Sequence, residues 1–167
     1  MKGRRLLGPG ELPIRPTSDR AREALFSILQ QWPRGSFLDL FAGTGAVGIE
    51  ACSRGYEPVT LVEREPGALA ILKANGKGTD MRALGRDARK LKADAFQGLS
   101  VIFADPPYEQ SPALWEEMAS RMLGWLAPGG VLVWETDHRA ELLKVQGWVL
   151  INSRRYGAAS FHFLQLT

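Results

Sequence analysis

Four consecutive residues, Asp105, Pro106, Pro107 and Tyr108, join an acid, two prolines and an aromatic ring directly after the apolar run Ser100 to Ala104. That set suits the chemistry of an exocyclic amine on a nucleobase. Such an amine is a poor nucleophile, because its lone pair is delocalised into the ring. If Asp105 and the Pro106 carbonyl each accept one of its N–H bonds, the lone pair is turned toward an electrophile and the positive charge growing on nitrogen is stabilised. The prolines fix φ and carry no competing donors, so the acceptors stay oriented. Tyr108 offers a face on which the base can stack. A base inside a helix cannot reach such a clamp, so the target must be flipped out or single-stranded. Aspartate and proline also build ordinary turns, and the residues upstream decide between the two.

The stretch LDLFAGTGAVGIE, Leu38 to Glu50, reads as a strand passing through Gly43 and Gly45 into a helix, with Gly48 completing a G-x-G-x-x-G spacing. Glu63 follows Gly43 by twenty residues, at the end of the next apolar run. Glycines let a ligand approach the backbone, a helix N-terminus favours an anion, and an acid at that distance accepts hydrogen bonds from two ribose hydroxyls. Nicotinamide dinucleotides and adenosine cofactors share these needs. Asp39 separates them: a negative charge before the glycines repels a pyrophosphate and attracts the ammonium of a methionyl group, so S-adenosylmethionine is the expected cofactor. Asp87, after a weak third strand at Met81 to Leu84, fits either an acceptor for the adenine amine or a helix N-cap.

These residues need a scaffold that brings strand ends together. SFLDLF, PVTLVE, SVIFA and GVLVW read as strands buried on both faces. Helical patterns lie between them at Val47 to Arg54, Gly67 to Ala74 and Pro112 to Leu126. Alternation of this kind predicts an α/β fold with a doubly wound parallel sheet, whose ligands bind at the carboxyl ends of the strands. The order breaks in the last twenty residues, where two strand-like runs flank RRYGAAS with no room for a crossover helix, so a terminal antiparallel hairpin is expected. Before the sheet, Ala21, Leu25, Ile28, Leu29 and Trp32 recur at helical spacing, with Thr17 or Ser18 as the cap and Pro33 as the stop.

The chain has 167 residues and a formal net charge of +3, which suits one domain with a proper core. Residues 1–17, dense in Gly and Pro, read as a basic arm, and residues 18–167 as one cofactor-binding domain. Lys2, Arg4, Arg5, Arg15, Arg20 and Arg22 face only Glu11 and Asp19, a bias that attracts phosphates through counterion release. Arg4, Arg5 and Arg20 are therefore candidate contacts for a polyanion. No apolar run is long enough to span a membrane and no secretion signal is present, so a cytoplasmic protein is expected. The single cysteine, Cys52, reads as a small helix residue; His138 and His162 are far apart, and no metal site is expected. The tryptophans read as core.

Taken together, LDLFAGTGAVGIEA, ADPPY and LAPGGVLVWE resemble class I methyltransferases that act on amino groups of bases. RPTSDRAREALF at Arg15 to Phe26 and RRYGAASF near the end extend the resemblance to the RsmD-type methyltransferases, which modify the exocyclic amine (N2) of a guanine in small-subunit (16S) ribosomal RNA. The resemblance implies a Rossmann-like, mostly parallel seven-stranded sheet closed by an antiparallel hairpin. It implies a catalytic loop at Asp105, Pro106, Pro107 and Tyr108, with Asp39, Gly43, Gly45, Glu63 and Asp87 around S-adenosylmethionine and with Arg15 and Thr17 near its methionyl end. Direct in-line transfer without a covalent intermediate is the expected mechanism, and ribosomal RNA, within a small-subunit particle or assembly intermediate, the expected partner; no obligate protein partner is inferred. Three rivals stand beside it. A DNA adenine-N6 or cytosine-N4 methyltransferase can carry the same tetrapeptide but commonly needs a separate recognition domain. An NAD-dependent oxidoreductase explains the glycines and Glu63 and leaves Asp105 to Tyr108 without a purpose. A non-catalytic RNA-binding module explains only the arm.

Overall fold

The computed structural model describes residues 5–12 and 15–167. Helix α1 (Asp19–Leu29) starts where Ser18 accepts the Ala21 N–H, and it buries Ala21, Leu25, Phe26 and Leu29 along one stripe. Strands β1 (Phe37–Asp39), β2 (Val59–Val62), β3 (Arg82–Leu84), β4 (Leu99–Ala104) and β5 (Leu126–Asp137) alternate with α2 (Ala46–Ser53), α3 (Pro66–Asn75) and α4 (Ser111–Met122). Strands β6 (Trp148–Tyr156) and β7 (Ala159–Leu166) end the chain.

The sheet has seven strands in the order β3-β2-β1-β4-β5-β7-β6. It is parallel from β3 to β5, and β7 pairs antiparallel with both β5 and β6, so the expected terminal hairpin is present. Chain order reverses between β1 and β4, the switch point at which open α/β sheets hold their ligands.

Alternation along the strands builds two cores. Phe37, Val101, Phe103, Val131, Val133, Phe161 and Phe163 face α1 and α2, while Leu38, Ile102, Ala104, Leu132, Trp134 and Leu164 face α4. Buried indole N–H groups knit that second face together: Trp115 donates to the Leu143 carbonyl at 2.7 Å and Trp125 to Ala93 at 2.9 Å, both in loops, and Trp148 of β6 to Ala119 of α4 at 2.9 Å. The tryptophans therefore pack as the sequence implies, with Trp32 stacked on Phe163. Cys52 is half-buried on α2.

Two helix ends differ from the sequence pattern, and the first is α1, which stops at Leu29, short of Trp32 and Pro33. Helix α4 stops at Met122 rather than continuing to Leu126, because Gly124 interrupts the apolar repeat and Leu126 gains a ladder partner in Leu99 as the first residue of β5.

Over its described residues the amino-terminal segment has no helix or strand before α1, yet it is pinned. The buried Asn75 side chain at the end of α3 accepts the Leu7 N–H at 2.7 Å and donates to the Leu7 carbonyl at 3.0 Å. The same amide donates to the Thr44 carbonyl at 3.0 Å, so one side chain links the segment to the glycine turn. Arg4 lies outside the described residues.

Candidate active site

The turn from β1 into α2 needs glycine for two separate reasons. Gly43 and Gly45 adopt φ of 54° and 88°, a region closed to most side chains, and Gly45 caps α2. Gly48 sits so close to β2 that a Cβ there would lie 1.8 Å from Leu61 Cδ2, so its glycine brings the helix onto the sheet. Glu63, just past β2, stitches the turn together: it accepts the Gly43 N–H at 2.7 Å and the Glu65 N–H at 2.8 Å, one on each carboxylate oxygen. Each oxygen keeps a further lone pair for a ribose hydroxyl.

A cavity of about 510 Å³ opens over this turn. Arg15, Thr17, Asp39, Gly43, Glu63, Asp87 and Asp105 to Tyr108 all line it, so residues distant in sequence meet at the switch point. Gly45 acts from below as the helix cap, while Arg5 and Arg20 are exposed and lie outside the cavity wall. Arg64, Arg86 and Arg89, which the motifs do not single out, line the end near Asp87.

Three acids lie at or near the carboxyl ends of three neighbouring strands on one face: Asp39 ends β1, Asp105 follows β4 and Glu135 lies two residues before the end of β5. Asp39 closes β1 and pairs with Phe103, Phe103 pairs with Val133, and Ala104 pairs with Trp134. Continuing that register by one residue sets Asp105 beside Glu135, with all three carboxyls on the α1 side of the sheet. Asp39 is buried and accepts the Phe41 N–H at 3.3 Å; burial first, and then the negative charges of Glu63 and Glu135, push its pKa up to about 8 against the pull of that N–H. Burial also lifts Asp105 well above the usual carboxylate range, reinforced by Glu135 and Asp39 and opposed by Arg15. Glu135 is pushed up to about 7 by burial, while the Tyr108 hydroxyl, Arg15 and a hydrogen bond with Asp105 hold it down.

Glu135 is the functional candidate that the motifs missed. Tyr108 donates its hydroxyl to Glu135 Oε1 at 2.9 Å, which ties the loop to β5, and the Ser111 hydroxyl donates to the Glu135 carbonyl at 2.8 Å. The other face of the arrangement is cationic: the Arg15 guanidinium carbon lies 4.6 Å from the Tyr108 ring centroid, so one face of the ring is covered and the other is left for a planar partner. Burial and the Glu135 carboxylate raise the Tyr108 phenol, which stays protonated.

Asp87 takes the capping role. It accepts the Arg89 N–H at 3.0 Å, opening a 3-10 turn at Ala88–Lys90, and its carboxylate meets the Arg89 guanidinium at 2.6 Å. Those bonds hold its pKa down to about 2, and its place on the cavity wall keeps it within reach of a ligand. His162, by contrast, is held between the Thr136 and Ser153 hydroxyls at 2.8 and 2.9 Å, a packing role within the hairpin.

Sheet order, glycine turn and acid-lined cavity define a class I methyltransferase fold, the class that draws its methyl group from S-adenosylmethionine. An RNA methyltransferase from Salinibacter ruber, solved with S-adenosyl-L-homocysteine, shares this fold at 15% identity, with a TM-score of 0.67 over 89% of this chain and 92% of that one. The model of the family described as Conserved hypothetical protein 95 matches residues 1–165, and the chain belongs to that family, the RsmD-type methyltransferases. The ribosomal RNA small subunit methyltransferase D of Escherichia coli K12 is 31% identical over 175 residues, covering 98% of this chain and 85% of its own length. Its namesake from Haemophilus influenzae is 29% identical over 98% of this chain and 89% of its own length. The solved yhhF protein from Escherichia coli superposes with a TM-score of 0.84 at 30% identity, over 98% of this chain and 92% of that one. Membership in this family decides against the nicotinamide reading that the glycine spacing left open.

Among the described residues, no helix is long and apolar enough to cross a membrane.

Proposed function

We propose that this protein methylates the exocyclic amine, N2, of a guanine in small-subunit ribosomal RNA. The observation that carries the reading is the shared cavity: the Asp39 and Gly43 wall and the Asp105 to Tyr108 wall face one space of about 510 Å³. The residues fit S-adenosylmethionine. Asp39 is a buried carboxyl with a single weak main-chain donor and two acidic neighbours, an environment that a ligand ammonium completes. Glu63 has lone pairs left for ribose hydroxyls, the Gly43 turn leaves room for close approach, and Asp87 stands at the adenine end, with Arg15 and Thr17 at the methionyl end. Bound there, S-adenosylmethionine supplies an electrophilic methyl carbon.

The chain's own residues prepare the nucleophile. Asp105 and the Pro106 carbonyl accept the two N–H bonds of the amine, and the free face of Tyr108 carries the base. Arg15 packs on the other face of the ring and supplies positive charge near Asp105 and Glu135. Arg5 and Arg20, both exposed, serve as phosphate contacts for an RNA whose target base is flipped out.

The test is methylation of candidate RNAs and small-subunit particles with labelled S-adenosylmethionine, followed by nucleoside analysis. N2-methylguanosine is the expected product; methylated adenine or cytosine overturns the assignment. In parallel, Asp105→Ala should retain S-adenosylhomocysteine binding and lose turnover by about a hundredfold or more. A wild-type rate in that variant removes Asp105 from the chemistry.

A further inference from the structure

Glu135 Oε2 is buried and has no hydrogen-bond partner among the described residues when every carboxyl is ionised, although Oε1 is bonded to Tyr108. An orphaned buried carboxylate oxygen is expensive. The group set against it is the Asp105 carboxyl, brought there by the β4–β5 register, and a carboxylate cannot donate. One proton between the two acids resolves the conflict: Asp105 carries it and donates to Glu135 Oε2, as in other carboxyl pairs that share a proton.

We propose that Glu135 is the terminal acceptor of the proton that the substrate amine loses, receiving it through the Asp105 carboxyl. The inference rests on the reading of Asp105 as the acceptor of the amine N–H. The steps balance. The amine nitrogen uses its lone pair to form the new N–C bond as the bond from the methyl carbon to the cofactor sulfur breaks, its electron pair staying on sulfur, and the nitrogen becomes cationic. Its N–H bond then breaks, leaving the electron pair on nitrogen, and the unprotonated oxygen of Asp105 forms an O–H bond. The O–H on the other Asp105 oxygen breaks, and a lone pair of Glu135 Oε2 takes that proton. The amine ends neutral, Asp105 is again a neutral acid, and Glu135 passes from anion to acid; it returns its proton to water once the product leaves. Asp105 is thus never required to hold a net charge at the moment the base is gripped.

The groups facing Glu135 set when it can act. Tyr108 donates to it from the catalytic loop, Arg15 attracts its charge from the segment before α1, and a hydrogen bond from Asp105, just past β4, also favours its charged form, while Asp39 on β1 is the further acid facing it. Across the sheet it opposes the apolar Phe161 of β7, so no further charge enters from that side. Turnover therefore requires an ionised Glu135, and the rate should fall with slope one as pH drops through about 7.

Two measurements test this. In the ligand-free protein, carbon-13 NMR of labelled Asp and Glu carboxyls should show Glu135 titrating near neutrality. Tyr108→Phe, which removes the hydroxyl that favours the charged form, should move that titration to higher pH, and the acid limb of the rate should move with it. Glu135→Gln should lower the Asp105 pKa by removing a negative neighbour, keep S-adenosylhomocysteine affinity within about twofold, and lose turnover by about a hundredfold. A Glu135 carbon that titrates in the ordinary carboxylate range, or an acid limb that Tyr108→Phe leaves in place, overturns the proposal. Should Asp105→Ala abolish turnover while Glu135→Gln keeps it, the relay alone fails; should Asp105→Ala be active, the underlying reading of Asp105 fails first.

Discussion

Replacing Asp39 with Asn should stabilise the free protein and weaken its hold on cofactor, and the structure sets the size of the first effect. Asp39 is 1% exposed, and its pKa rises from 3.8 to about 8. At pH 7 the unfolded chain carries an ionised Asp39 and the folded one a protonated Asp39, so folding must draw a proton from water. About three pH units at roughly 1.4 kcal/mol each make that penalty about 4 kcal/mol. The sign follows from proton counting: between about pH 4 and 8 the native state binds more protons than the unfolded state, so stability falls as pH rises through that window. Asn needs no proton. The Asn variant should therefore lack this contribution to the slope, and at pH 7 its melting temperature should exceed that of wild type by about 8–16 °C if the whole penalty is recovered. Urea unfolding at pH 5, 6, 7 and 8 gives the difference curve, which removes what Asp105 and Glu135 contribute to both proteins apart from their direct coupling to Asp39. Cofactor binding supplies the second arm. An ammonium beside Asp39 favours its charged form, so S-adenosylhomocysteine should release up to about one proton from wild type at pH 7 as Asp39 ionises. Calorimetry in two buffers of different ionisation enthalpy reads that release, which the variant should not show. Parallel stability curves for the two proteins across pH 5–8 would refute the placement of a high-pKa carboxyl at the end of β1.

Two further perturbations address the segment before α1. Asn75→Ala removes the donor and acceptor that hold Leu7 and leaves the Thr44 carbonyl without its partner, so unfolding free energy should drop by about 1–3 kcal/mol and trypsin should cut after Arg5 faster than in wild type; unchanged protection would mean the segment is held by other interactions. Arg5→Ala with Arg20→Ala should weaken RNA binding and flatten the dependence of log K on log salt by about one for each phosphate no longer neutralised, and an unaltered slope would take both residues out of the interface.

The sequence pattern reaches furthest where geometry is local. The strand, glycine turn and helix around Gly43 to Gly48 are legible because positive φ and close helix packing exclude other residues there, and Asp105 to Tyr108 because two prolines fix a short backbone path. Asp87 is divided by its sequence context between cap and ligand acceptor, and the structure shows the cap while keeping the residue on the cavity wall. The end of α4 is overrun because Leu126 continues a helical period, and only the pairing with Leu99 reveals it as strand. Asn75 is invisible in sequence: its role depends on Leu7, sixty-eight residues away, and on Thr44. Glu135 is different, since a signal for it exists. Each acid of the cluster follows by two residues a fully buried side chain of the α1 face: Phe37 before Asp39, Phe103 before Asp105 and Val133 before Glu135. Alternation alone therefore sends all three carboxyls the same way. What sequence could not supply is the adjacency of β1, β4 and β5, which turns three separate strand-end acids into one cluster. Arg15 lowers the pKa of Asp105 and of Glu135, while burial raises all three acids. Stability would favour apolar residues at all three positions, and the proposed roles, completing the site of a ligand cation and taking up a proton, account for acids there.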